Sequence, residues 1–363
     1  MKNKLLLTSA LISGLSVIGS AAIAETKISG GLNTGYKSGE GIGAGKSSRS
    51  GFFRESQINL ENSGDLNNGF KYRAGFSFEA DGGDNAGATG GTTGADAGAV
   101  KSVVTSDEGV FIEFIKGDTT LHFGMDKVQN IDQSPTPRVA ENANTALGAY
   151  AGSVYSQSLT TPKGAFGVAV VQKAFGGNIS VNVVPSITDT GGSDTTLNVN
   201  AVADGNDGAS AYEVVYRGKP IANVPLDIML GRTVVSNGVT NAVAGKTDDQ
   251  VTTSAAFGYN FGKFAVGYDR RMNDSVAYNA GFVDQTQEEI SATAALSNNV
   301  SVGIGQITVD RDKKTSDEEI KYIQVGYNMG PVFTSVGYFD VENGGFTSTN
   351  DGSLYSIRFG AKF

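Results

Sequence analysis

The sequence contains no cysteine, no tryptophan, one histidine (His122) and only 7 prolines in 363 residues. The absence of cysteine removes disulfide staples, thiolate metal sites and cysteine nucleophiles together. A single histidine leaves a serine–histidine triad or a multi-histidine metal site without its usual parts. A carboxylate pair would still serve acid–base chemistry, but no spacing singles one out. Basic residues are in deficit, with 28 Lys and Arg against 37 Asp and Glu and a net charge of −9. A nucleic-acid partner calls for the opposite balance, because basic surface is what displaces counterions from phosphates. After Glu25 no apolar run approaches the ~18 residues of a spanning helix. Any insertion into a bilayer must then be as a closed barrel, since only helices and barrels satisfy every backbone group in lipid.

The start of the chain has a different character. Lys2 and Lys4 precede an apolar run built from Leu5, Leu6, Leu7, Leu11, Ile12, Leu15, Val17 and Ile18. Ala22-Ile23-Ala24 then supplies the small-x-small pattern of a cleavage site. This layout predicts a secretory signal peptide over residues 1–24 and a single mature unit over 25–363. Loss of Lys2 and Lys4 leaves 26 basic and 37 acidic side chains, a net charge of −11.

What the rest of the chain offers is period two. At 70–79, Phe70, Tyr72, Ala74, Phe76 and Phe78 share one face, and Lys71, Arg73, Gly75, Ser77 and Glu79 share the other. At 251–261, Val251, Thr253, Ala255, Phe257, Tyr259 and Phe261 oppose Thr252, Ser254, Ala256, Gly258 and Asn260. The last segment sets Tyr355, Ile357, Phe359, Ala361 and Phe363 against Ser356, Arg358, Gly360 and Lys362. Such alternation marks half-buried strands. It does not by itself separate a soluble sandwich, apolar face inward, from a membrane barrel, apolar face to lipid. Three further features favour the barrel. Tight connections (62–69, 117–118, 262–263, 297–299, 330–331) alternate with long polar ones (38–50, 81–107, 237–249, 275–287, 311–318, 343–352), as in outer-membrane barrels. Aromatics recur near strand ends: Tyr36, Phe70, Phe78, Tyr212, Phe261, Phe264, Tyr322, Tyr327, Phe333, Tyr338, Tyr355 and Phe363. They are the expected interfacial girdles. The alternation also persists to Phe363, which predicts a last strand closing beside the first.

The reading is an all-β transmembrane antiparallel barrel with short periplasmic turns and long external loops. Residues 127–209 decide the strand number. Val154–Thr161, Ala165–Lys173, Ile179–Val184 and Thr195–Val202 are all strand-like. If they form only an external excursion the total is 16, the preferred number; if they insert it is 18.

Specific stretches carry a resemblance. Ser48-Arg49-Ser50-Gly51-Phe52, the turn Gly64-Asp65-Leu66-Asn67-Asn68-Gly69-Phe70-Lys71, the hairpin segment Phe114–Met125 and the terminal Tyr355–Phe363 resemble the general porins of Gram-negative outer membranes, in particular the trimeric proteobacterial type. The terminal stretch looks like the signal read by the barrel-assembly machinery. The resemblance implies 16 strands, a homotrimer and a third external loop folded into the lumen. That loop would be about Lys127–Ala149, carrying Asp132, Pro135, Pro137, Arg138 and Glu141. In the family, acidic groups on this loop face basic groups on the wall.

Strand phase supplies wall candidates independently. Lys71, Arg73, Arg217, Arg271 and Arg358 fall on the lumen phase, and Arg54 falls on the lipid phase unless a bulge shifts it. The expectation is that Arg73 and Arg358 oppose Asp132 and Glu141 across the narrowest point, with a transverse field that orients dipolar solutes. His122 falls on the lumen phase as a wall residue. Gly39–Ser47 imitates a phosphate loop but has Glu40 where the first glycine is required. Asp81 and Asp84, and Asp204 and Asp207, are weak calcium candidates without a full ligand pattern, so no cofactor is expected. The expected partners are outer-membrane lipid, lipopolysaccharide, the assembly machinery and small polar solutes, with no nucleic acid. A passive diffusion channel is the leading function. A substrate-specific channel would need a run of aromatics on the lumen phase, which the sequence does not reveal. A hydrolase lacks a nucleophile–histidine pair. An adhesin or receptor is left open by residues 175–209.

Overall fold

The computed structural model describes residues 24–41, 49–66, 68–82, 102–124, 131, 133–139, 167–187, 209–241, 246–278 and 281–363. Sixteen strands follow in chain order: β1 (Glu25–Glu40), β2 (Arg49–Asp65), β3 (Lys71–Gly82), β4 (Ser102–Lys116), β5 (Thr119–Gly124), β6 (Gly167–Ala174), β7 (Gly177–Ile187), β8 (Ala209–Gly218), β9 (Leu226–Asn241), β10 (Lys246–Asn260), β11 (Phe264–Tyr278), β12 (Gly281–Ala295), β13 (Val300–Arg311), β14 (Glu318–Met329), β15 (Val332–Glu342) and β16 (Gly352–Lys362). Each pairs with its chain neighbours, and β1 pairs with β16, so the sheet closes on itself. The number is the preferred one, but the route differs. Ala165–Lys173 and Ile179–Val184 are largely β6 and β7, inserted in the wall, rather than parts of an excursion. Val154–Thr161, Thr195–Val202 and leader residues 1–23 lie outside the described residues.

The side-chain phase is inverted relative to a soluble sheet. Along β14, Glu318, Ile320, Tyr322 and Gln324 are buried, while Ile323 and Val325, on the alternate phase, are 46% and 44% exposed. Phe257, Tyr259, Ile290, Ile304 and Phe359 are likewise exposed on the outside. A face of this kind is stable only against acyl chains. Toward the long-loop end the outward apolar band gives way to ion pairs, Arg270 with Glu288 at 3.4 Å and Lys321 with Glu342 at 2.8 Å. Two residues assigned to the girdles do not belong there. Tyr322 and Phe333 lie on the inward phase, Tyr322 beside Ile320 and Gln324, and Phe333 beside Ser335. Their strand-end position fits a girdle, but the residue-by-residue parity of β14 and β15 overrides it.

The short-turn end is made by local backbone chemistry. Phe175 and Gly176 both have positive φ, 52° and 72°, which is the type I′ signature that matches strand twist. The turns at Gly117, Gly262 and Gly330 also use φ values of 57–87°, which glycine adopts without strain. Closure is local as well: Gly30 N–H donates to the Phe363 carbonyl at 2.9 Å, and Phe363 N–H returns to Gly30 at 3.1 Å. Gly30 also suits its place beside β2, since a β-carbon there would collide with the Gln57 carbonyl and stand 2.7 Å from the Phe363 ring.

The inverted phase makes a direct prediction. Ile304, 55% exposed in the centre of β13, should cost about 2–4 kcal/mol when replaced by Arg. Urea unfolding of the protein in phospholipid vesicles measures this, and a neutral result would contradict the outward assignment.

Candidate functional site

The connection between β5 and β6 enters the barrel. Its described part, residue 131 and residues 133–139, lies against the inner faces of β8 to β14. Ile131 is fully buried and clusters with Val215 of β8, Met229 of β9 and Ala256 of β10. Pro135 rests against Gly258, Thr136 and Pro137 against Gly267, and Val139 against Gly303 and Gly326. The sequence folds this way because the segment presents apolar side chains in an otherwise polar lumen, and burying them against the wall removes them from water. Two prolines restrict the alternatives open to the chain.

Polar groups fix the same segment. Arg138 forms a two-pronged ion pair with Glu289 of β12, with Nε 3.1 Å from Oε1 and Nη2 on Oε2. The Tyr322 hydroxyl donates to Glu289 Oε1 at 2.8 Å. The Ser291 hydroxyl donates to the Pro137 carbonyl at 2.7 Å, and Arg217 Nη1 donates to the Gln133 carbonyl at 2.8 Å. The Glu289 side chain is only 2% exposed. A carboxylate so removed from water requires such partners.

The sequence-predicted residues separate into distinct roles. Arg138 and Arg217 hold the inward segment. Arg271 is occupied by Asp269 on its own strand, with Nη2 to Oδ2 3.0 Å and both side chains nearly buried. Arg73 of β3 binds Glu113 of β4 through Nε at 2.8 Å and Nη2 at 3.1 Å. Its side chain nevertheless stays 41% exposed to the lumen. His122 of β5 is inward, as its phase implies; Nδ1 lies 3.1 Å from Glu113 and the ring stacks on Phe111 at 5.8 Å. Arg358 of β16 is inward too, with its guanidinium 5.9 Å from the Phe333 ring. Lys71 is exposed near Asp65 at the short-turn end. Asp132, Glu141, Asp84, Asp204 and Asp207 lie outside the described residues, as do the side chains of Asp81 and Arg54. Among the described residues no group of three His, Asp or Glu is arranged to hold a metal.

Two acids that organise the site escaped the sequence reading. Glu113 sits directly across from both Arg73 and His122 in the strand register. Glu289 follows Gln285 and Gln287 on the inward phase of β12. Parity alone places both on the inner wall; only the register of three strands shows which cation each one meets.

The lumen phase also carries aromatics, contrary to expectation. Tyr322 and Phe339 pack at 5.9 Å within an inner-wall cluster that includes Ile307, Ile320, Leu354 and Phe346. Phe346 comes from the connection 343–351, adopts φ 60°, and lies under the Arg311 guanidinium at 4.5 Å. Gly345 N–H anchors the same connection by donating to Glu318 Oε2 at 2.7 Å. These rings are buried, so they fill one sector of the barrel rather than stack on a solute.

The profile of the Gram-negative porin family matches residues 8–363. No curated protein matches the chain. Among solved structures, Salmonella typhi OmpF in complex with daunomycin superposes with TM-score 0.62 at 9% identity, covering 93% of this chain and 97% of that one. An anion-selective porin from Comamonas acidovorans gives TM-score 0.61 at 13% identity over 94% and 100% of the two chains. The in-vitro folded trimer form of Vibrio cholerae OmpT gives 0.59 at 10% identity over 94% and 99%. At these identities the likeness is one of fold.

The Arg138–Glu289 pair generates a prediction. Arg138→Met removes one partner of a buried pair, which costs about 3–5 kcal/mol at such sites. Hydrogen exchange should accelerate at residues 133–139 while the strands stay protected. The double change Arg138→Met with Glu289→Met should recover most of the protection.

Proposed function

The chain belongs to the Gram-negative porin family, and from that premise we propose that this outer-membrane channel passes small hydrophilic solutes and ions by passive diffusion through a constriction at the inward segment 131–139. One observation carries the reading. The segment occupies the inner wall of β8–β14, so water must pass along the opposite wall. In a ring of sixteen, each strand faces the one eight places on: β3 faces β11, and β16 faces β8. Arg73 therefore looks across at Gly267, where Pro137 rests, and Arg358 looks across at Arg217, which holds Gln133. Both arginines lie within five residues of the short-turn ends of their strands, as do the glycines that the segment touches on β11 and β14. Arg73 is the third residue of β3 and Arg358 the fifth from the end of β16. Gly267 is the fourth of β11 and Gly326 the fourth from the end of β14.

The physical consequence is a cationic rim on one side of the path. Arg73 contributes through the part of its side chain left exposed beside Glu113, whereas Arg138, paired with Glu289, is more deeply covered and adds less. Asp132 and Glu141, on the same connection, are the proposed counter-charges; opposed charge rows are the usual means of selectivity in pores. The net acidity of the mature chain favours cations, so we read the channel as weakly cation-preferring, with no chemistry performed on the solute.

The other partners follow from the same surface. The outward apolar band contacts lipid, the acidic external connections face lipopolysaccharide, and the C-terminal strand is the segment offered to the assembly machinery. Cleavage after Ala24 completes the mature chain. A homotrimer is proposed because a structural neighbour is a trimer form. It also suits the outward hydrogen-bond cluster of Thr26, Asn62 and Tyr72, which fits protein contact better than acyl chains. Oligomer bands that persist in SDS without heating and collapse on boiling would support it.

Planar-bilayer recording tests the central reading. The wild type should give steady open steps and a small cation-side reversal potential in a salt gradient. Arg73→Ser and Arg358→Ser should each raise conductance and move the reversal potential further to the cation side. If neither substitution changes either quantity, these residues do not border the narrow point.

A further inference from the structure

We propose that Gly231, Gly258, Gly267, Gly303 and Gly326 are positioning residues that form a seat for the inward segment and set how far it projects into the pore. The second part of this statement rests on the constriction reading; the first does not.

Glycine inside a strand weakens it, and commonly marks a place where another backbone approaches closely. Here the approach is visible at one glycine on each of five strands, β9, β10, β11, β13 and β14. A β-carbon built on Gly231 would collide with the Ile131 side chain, one on Gly258 with the Pro135 carbonyl, and one on Gly267 with Pro137. At Gly303 and Gly326 it would stand 2.7 and 2.8 Å from the two methyls of Val139. β12, the one strand of the row without such a glycine, supplies Ser291, whose hydroxyl takes the Pro137 carbonyl at 2.7 Å. Every strand from β9 to β14 thus has a dedicated contact.

The contacts spread the segment along the wall. Crossing from β9 to β14 takes five strand spacings of ~4.8 Å, or about 24 Å. Eight residue steps from 131 to 139 reach about 26 Å when extended, at ~3.3 Å each. A new methyl group at one of these glycines would occupy space that the segment already fills, so the segment must lift off the wall there. Because it lies inside a barrel, lifting off means moving toward the axis. The five glycines are therefore coupled to the width of the water path although none of them faces it.

The test uses Gly258→Ala, Gly303→Ala and Gly326→Ala in the full-length protein, with heat-dependent gel mobility reporting barrel formation. Gly31→Ala is the control, since a β-carbon there meets only Ala361 O at 3.7 Å, an ordinary contact. The seat variants should show faster hydrogen exchange at residues 133–139 and a single-channel conductance lower by roughly 1.5-fold, with Gly31→Ala unchanged in both. Adding Val139→Ala to Gly326→Ala should restore both readouts, which general barrel damage would not permit. Folded seat variants with wild-type exchange and conductance would overturn the proposal. Faster exchange with wild-type conductance would uphold the seat and overturn the constriction reading beneath it.

Discussion

A bilayer supplies no hydrogen-bond partners, so a strand that enters it must find all of them in its neighbours. Everything else in this structure depends on that requirement. It forces the sheet to end where it began, and the join between Gly30 and Phe363 is where the requirement is met. It forbids an edge, so β6 and β7 have to be in the wall for the ring to complete. It also explains why seven connections at one end are tight. Turns there need only reverse the chain, and those at Phe175–Gly176 and Gly117 do so with left-handed backbone.

A closed ring of sixteen strands is wide, and side chains of ordinary length cannot fill it. The structure fills it selectively. The segment 131–139 lines one half of the inner wall. The Phe346 connection and the Ile307–Phe339 cluster close a sector near the long-loop end. Among the described residues, nothing from the connection that carries 131–139 lies against the inner faces of β16 and β1 to β5, the side that carries Arg73 and Arg358. Charge follows the same division. Where arginines meet the inserted segment or a neighbouring carboxylate, as Arg138, Arg217 and Arg271 do, they act as internal fasteners. Among the described ion-paired inward arginines, Arg73 keeps the largest exposed side-chain fraction, although Glu113 binds it directly across the strand register.

Parity made much of this legible in advance. Alternation along 251–261 and 355–363 assigns lumen and lipid faces residue by residue, and the observed burial follows it. The last strand's closure and most of the alternating connections were equally readable, but the long connection expected over 275–287 is mostly strand, since β11 runs to Tyr278 and β12 starts at Gly281 and the two pair there. Tyr322 and Phe333 show where reading by position along a strand fails: proximity to a strand end suggests an interfacial ring, but one step in phase sends the ring inward. Glu113 and Glu289 show a second limit. Each is an ordinary acid on a polar face until the register of neighbouring strands pairs it with a cation. The glycine row is a third case. In the sequence these five residues are indistinguishable from the many other glycines among the 50. Only the close pass of a distant segment gives them a common role.

The Arg138–Glu289 contact spans 151 positions in the chain, and this separation orders events during assembly. Contacts that distant form late, because closing so long an intervening stretch has an entropic cost that early contacts avoid. The platform on which residue 139 settles includes β14, so it does not exist until nearly the whole polypeptide has been laid into the cylinder. The bed for residue 139 is complete only once β13 and β14 have joined the wall, so the width of the bore is settled by the last third of the chain rather than by the connection that narrows it.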